Sequence, residues 1–188
     1  MASLIYTAIT SIDGFVEDAD GRFEWARPDE EVLAFINDLE RPIATYLYGR
    51  KMYETMLYWE TVTADPSQSR AVHDFADLWR AAHKIVYSST LDTVGGARTR
   101  LERSFDPDDV RRIKTQSVGP VSIGGATLAA RALDENLVDV IRLVVHPVII
   151  GAGTPALAVA NRREVELVDE RTFAGGAQYL AYRMTSSS

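Results

Sequence analysis

The hydrophobic pattern changes period repeatedly along the chain, and each change predicts a junction between strand and helix. Leu4 to Thr10 reads as a strand, Ser11-Ile-Asp-Gly14 breaks it with turn chemistry, and Phe15-Val16 resumes an extended pattern before a second turn at Asp18-Ala-Asp-Gly21. Pro28 to Leu39 predicts a helix opened by proline and acids, with Val32, Phe35, Ile36 and Leu39 on its buried stripe. Ile43 to Tyr48 is β-rich and runs through Gly49 into helix-compatible spacing over Arg50 to Thr55. Ser67 to Ala82 predicts a long amphipathic helix with Val72, Phe75, Ala76 and Trp79 inward, and Lys84 to Ser88 a third strand. Beyond Gly95-Gly96, a strand over Arg100 to Phe105 and a helix over Asp106 to Lys114 follow. Val121 and Ile123 alternate as a short strand, while Leu128, Ala129, Ala132 and Leu133 recur at helical spacing, with the switch at Gly124-Gly125. Val138 to Val145 predicts a long buried strand and Pro147 to Pro155 a bend and loop. Glu164 to Asp169 and Gln178 to Met184 are the last strands, joined through Gly175-Gly176. Strands alternating with helices, then strands alone, predict an α/β chain with a mixed sheet, parallel first and antiparallel at the end, and helices on both faces.

Composition bounds the function. A chain of 188 residues fits one domain and buries roughly 70% of its extended surface on folding. Residues 1–185 are expected to form that domain, with Ser186-Ser-Ser188 as a polar tail. No apolar run approaches the ~20 residues that span a bilayer. The N-terminus enters a strand pattern without a basic segment, so nothing marks it for export. The absence of cysteine excludes disulfides and thiolate metal sites and agrees with a reducing, cytoplasmic setting. A net charge of −7 without a basic run argues against nucleic acid or an anionic membrane as partner. A small molecule is the expected partner, and an anionic cofactor would need locally placed cations.

Several stretches offer them. Glycine at Gly124-Gly125 permits positive φ and close approach of a ligand to the backbone, and the free N–H groups of the following helix point above the turn. That outlines a phosphate site, with close packing at a turn as the alternative. Arg50 and Lys51 follow Gly49 where a helix start would present them to a phosphate, or they form a solvated basic surface. Ser88, Ser89 and Thr90 place three hydroxyls at the end of the third strand, for a ribose phosphate or for the turn itself. Glu31 and Phe35 are four apart and share a helix stripe, so Glu31 can sit at the rim of a pocket and hold a proton if partly buried. Asp13, in its turn, can contact a ligand or bond its own backbone. His73, His83 and His146 read as structural or surface histidines.

Ser11-Ile-Asp-Gly14, Gly49-Arg-Lys-Met-Tyr-Glu54 and Ser122-Ile-Gly-Gly-Ala-Thr127, in this order, resemble the dihydrofolate reductase superfamily, in the bacterial branch similar to the riboflavin-biosynthesis reductase C-terminal domain. The stretch Leu137 to Gly153 and Arg171-Thr-Phe173 look like that branch too, so the resemblance covers nearly the whole chain. It implies a three-layer α/β/α fold with a mostly parallel sheet of about eight strands, a reductase binding NADPH with NADH not excluded, and a possible homodimer. It places Gly49, Arg50, Lys51, Gly124, Gly125, Ala126 and Thr127 around the dinucleotide, and Ser88 and Ser89 near an adenosine 2′-phosphate. Hydride would pass to a small heterocyclic, pterin- or pyrimidine-like, or carbonyl substrate. Glu31 would supply the proton, with Asp13 as a second acid, and Phe35 would stack on the substrate ring. Two positions depart from the branch. Met52 stands where a threonine commonly follows the basic residue, and Ser88-Ser89 lacks a following arginine. The family's usual deaminase domain has no counterpart in this sequence, nor have its zinc-ligand cysteines. A fold that binds a dinucleotide without catalysis is the alternative.

Overall fold

Leu4, Tyr6 and Ala8 pack into one hydrophobic core, and Ile5 and Ile9 into another. Alternation along this strand, β1 (Leu4–Thr10), therefore sends side chains into both faces of a sheet that is covered on both sides. A computed structural model describes residues 1–62 and 65–185. The tail expected at 186–188 lies outside the described residues.

Among the described residues the sheet has eight strands. Besides β1 they are β3 (Thr45–Gly49), β4 (His83–Tyr87), β5 (Thr99–Glu102), β6 (Val121–Gly124), β7 (Val140–Val145), β9 (Val165–Thr172) and β10 (Gln178–Met184). Their order is β5-β4-β3-β6-β1-β7-β10-β9. The strands from β5 to β7 are parallel, and β10 runs antiparallel to both β7 and β9. The predicted mixed sheet, parallel first and antiparallel at the end, is the observed one. β2 (Phe15–Asp18) and β8 (Gly153–Pro155) form a separate two-stranded ribbon, so part of the stretch expected to be a loop is a strand.

Helices α1 (Glu30–Glu40), α2 (Arg50–Met56) and α4 (Arg70–Ala81) bury Val32, Ile36, Tyr53, Phe75 and Trp79 against one face. Tyr58–Thr61 forms the short α3. On the other face, α5 (Pro107–Gln116) contributes Val110, and α6 (Ala126–Asp134) contributes Leu128, Ala129 and Leu133. Trp79 is fully buried and donates its indole N–H to the Tyr48 hydroxyl at 3.2 Å, which satisfies a polar atom in the middle of the core.

α1 begins two residues later than the pattern predicts. Asp29 is its N-cap, accepting from Val32 N at 2.9 Å, because a short carboxylate does more for a helix by capping its open N–H groups than by sitting inside it. α4 and α5 are capped in the same way by Ser69 and Asp106. Among the described residues no helix is long and apolar enough to cross a membrane.

Candidate functional site

Parallel strands release their connections at one edge of the sheet, and this collects the candidate residues. Gly49 ends β3 and pairs with Tyr87, while Tyr48 beside it pairs with Gly124 at the end of β6. Ser88 follows β4 and Thr10 ends β1 at the same edge. Crevices at the carboxyl ends of parallel strands are where α/β folds bind ligands.

The turn at Gly124-Gly125 has no room for side chains. A Cβ on Gly124 would stand 2.8 Å from the Tyr48 ring, and one on Gly125 3.2 Å from Met52 Cβ, at a backbone φ of +94°. α6 then starts without a side-chain cap and without an acid in its first turn. Ala126 is buried and Thr127 exposed in that turn, so the helix presents open N–H groups to the edge. α2 also begins at a glycine with no cap and no acid, and it carries Arg50 and Lys51. Arg50 donates from Nη1 to Thr90 Oγ1 at 3.2 Å and lies 3.5 Å from Glu54. Lys51 is 3.6 Å from Glu17 Oε1, which also accepts from the Thr154 hydroxyl at 2.6 Å.

Not every expected residue turns toward the same space. The Ser88 hydroxyl is buried and accepts from the N–H groups of Thr90 and Leu91, at 3.2 and 3.1 Å, so it caps its own turn. Ser89 is exposed, and Thr90 is the hydroxyl that meets Arg50. Tyr53 clamps the neighbouring loop, donating to Gly95 O and accepting from Gly95 N. No motif in the sequence pointed to that clamp.

A second group lies on the α1 side. Glu31 is not the partly buried acid expected from its stripe. It is exposed, with Oε1 3.0 Å from Arg171 Nη2 and Oε2 accepting from Ala174 N at 3.1 Å. Phe35 is half-buried and packs edge-on against Phe173 and Tyr179, at 5.3 and 4.8 Å between centroids. Asp13 is exposed and bonds beyond its own turn. Its carboxylate accepts from Ile150 N and Gly151 N, at 3.1 and 2.7 Å, and ties the turn after β1 to the loop after β7. Hydrogen bonds from the Ser11 hydroxyl, Gly151 and Ile150 hold its carboxyl down at about 2.

The last residue of α1, Glu40, is a buried polar group that the sequence did not reveal. Glu40 accepts from Thr7 Oγ1 at 3.4 Å, and burial raises its pKa against the opposing charge of Arg142. Among the described residues no cluster of His, Asp and Glu could hold a metal ion.

Comparison with known proteins bears on the fold and the family. The Bacillus subtilis protein YyaP, itself uncharacterized, is 27% identical over 186 residues, spanning 95% of this chain and 93% of its own. A riboflavin biosynthesis protein from Shewanella sp. PV-4 shares the fold with a TM-score of 0.75 at 16% identity, over 98% of this chain and 99% of that one. Enterococcus faecalis dihydrofolate reductase, solved with NADP(H), shares it at a TM-score of 0.65 and 15% identity, over 98% and 97% of the two chains. The RibD C-terminal domain family matches residues 2–180, and the chain belongs to that family.

Proposed function

We propose that the protein is an NADPH-dependent reductase that passes hydride to a small heterocyclic, pyrimidine- or pterin-like, or carbonyl substrate. The observation that carries this reading is the uncapped, acid-free start of α6 directly behind Gly124-Gly125, beside the cations of α2. Where α1, α4 and α5 satisfy their first N–H groups with Asp29, Ser69 and Asp106, α6 leaves its own open. A phosphate would complete them. Arg50 and Lys51 would neutralise the dinucleotide's charge, which a chain of net charge −7 must do locally. Membership of the RibD C-terminal domain family supports the reductase class.

A bound reduced nicotinamide supplies the hydride, and the protein supplies position and exclusion of water. Arg50 and Lys51 would hold the phosphates together with the open N–H groups behind Gly124-Gly125, and the aromatic group of Phe35, Phe173 and Tyr179 forms an apolar wall on the α1 side.

The test is titration with NADPH and separately NADH, following nicotinamide fluorescence and melting temperature. A ligand that binds the folded state raises the melting temperature by mass action. Binding with oxidation of NADPH by a member of a pyrimidine, pterin and carbonyl panel is the expected result. Binding of neither nucleotide overturns the reading. A second reading, dinucleotide binding without catalysis, is favoured by Met52, whose side chain crowds the turn at Gly124-Gly125. Tight binding with no turnover across the panel would select it.

A further inference from the structure

His146 is the first residue beyond β7, and its backbone N–H donates to Thr10 O at 2.7 Å, extending the parallel pairing past the carboxyl edge of the sheet. Alternation puts its side chain on the face of Val144, which pairs with Ile9 and Tyr179 and belongs to the core covered by α1. The charge of Asp29, the N-cap of α1, acts on the imidazole. The turn between β9 and β10 closes the other side. A Cβ on Gly175 would lie 2.9 Å from Asp29 Oδ2, and one on Gly176 3.6 Å from Pro147.

In this corner His146 Nε2 is buried and has no hydrogen-bond partner. Leaving a polar atom so forfeits its hydration without return, and native proteins rarely tolerate it without a use. Trp25 Nε1, on the segment leading into α1, is a second buried polar atom without a partner. Glu31, by contrast, has both oxygens engaged, by Arg171 and by Ala174 N. Asn37 Oδ1 and the Tyr46 hydroxyl are also buried without a partner on this face, but Asn37 turns toward α4, its Nδ2 donating to Ala71 O and Asp74 Oδ2, and Tyr46 lies within β3, whereas His146 stands beyond the carboxyl end of β7.

We propose that His146 contacts the substrate, its Nε2 hydrogen-bonding the polar edge of the bound heterocycle; this rests on the reductase reading above. Burial holds the imidazole pKa below its ordinary value, against the opposing pull of Asp29. In a neutral imidazole Nε2 either donates or accepts one hydrogen bond according to tautomer, which suits a single C=O, ring nitrogen or N–H on a pyrimidine or pterin edge.

The experiment uses the full chain saturated with NADPH and two probes, pterin and 2,4-diaminopyrimidine, followed by quenching of tryptophan fluorescence. His146→Leu is expected to weaken probe binding at least ten-fold and His146→Gln to restore part of it, with NADPH affinity unchanged in both. Should His146→Leu fold poorly, imidazole NMR decides. The chain has three histidines, and the resonances missing from His146→Gln identify those of His146. A shift of these on adding probe supports the assignment. Unchanged probe binding in His146→Leu, unmoved His146 resonances, or NADPH-loaded parent that binds neither probe overturns it. Failure of the parent to bind NADPH at all is a different result and overturns the reductase reading beneath it.

Discussion

Arg171 Nη2 lies 3.0 Å from Glu31 Oε1, and the same guanidinium sits 5.1 and 4.9 Å from the ring centroids of Phe35 and Phe173. One side chain on an edge strand thus holds the start of α1 and the aromatic wall together. Both partners of the ion pair are more than a third exposed, so the pair itself adds little stability. Glu31→Gln is expected to lower unfolding free energy by less than about 1 kcal/mol. Arg171→Ala should cost more, about 1–2 kcal/mol, because it also uncovers two rings. Urea unfolding of the two variants checks the order; an equal or larger loss in Glu31→Gln would show that the carboxylate does more than pair.

Gly125→Ala is expected to destabilise the protein by roughly 1–3 kcal/mol, since its φ of +94° is strained for any L side chain and the new methyl would meet Met52 at 3.2 Å. Nucleotide binding should fall with it. Thermal unfolding with and without NADPH separates the two effects, because a variant that is merely less stable still gains melting temperature from the ligand.

Glu17 holds Lys51 at 3.6 Å, and a phosphate arriving at Lys51 must compete with it. Glu17→Gln should therefore raise NADPH affinity, about two- to five-fold at low salt and less at high salt, where screening already weakens the pair. A fluorescence titration at two ionic strengths tests this. Lower affinity in the variant would mean that Glu17 orients Lys51 rather than occupying it.

Glu40 carries a pH signature. Its pKa is raised by burial, with Arg142 opposing, so its contribution to stability is fully present below the unfolded value and is lost as pH rises through the folded one. Glu40→Gln, which keeps the shape without the charge, should match the parent near pH 4 and melt higher near pH 8. A gain of about 2–4 °C corresponds to ~1 kcal/mol in a chain of this size. Equal melting curves at both pH values would show that Arg142 fully compensates the buried charge.

Asp13 has the opposite sign. Its carboxyl is held down at about 2, so what it contributes is present above the unfolded value and disappears as pH falls through the folded one. Asp13→Asn should melt below the parent at pH 6, with the gap closing between about pH 4 and 2, as circular dichroism at a series of pH values would reveal.

Much of the architecture was legible in the chain because it depends on local period. The switch at Gly124-Gly125 from alternation to helical spacing appears as β6 followed by α6, and Gly49 separates β3 from α2 as its neighbours implied. Those two glycines end up side by side because their strands are neighbours and parallel, a consequence of the alternation of strands and helices. Helix caps were less legible. Asp29 reads as an early helical acid, and only the backbone conformation there makes it a cap.

The partners of individual side chains were settled by tertiary structure alone. Glu31 and Phe35 share a stripe, as spacing four apart dictates, yet whether that stripe met an open pocket or Arg171 depended on β9 returning at the far edge of the sheet, 140 residues away in sequence. His146 reads as an ordinary histidine before a proline. Its unpartnered Nε2 exists because β7 ends beside β1 beneath the start of α1. Period along the chain determines which face a residue takes; only packing between distant segments decides what that face meets, and so which polar atoms are left for a ligand.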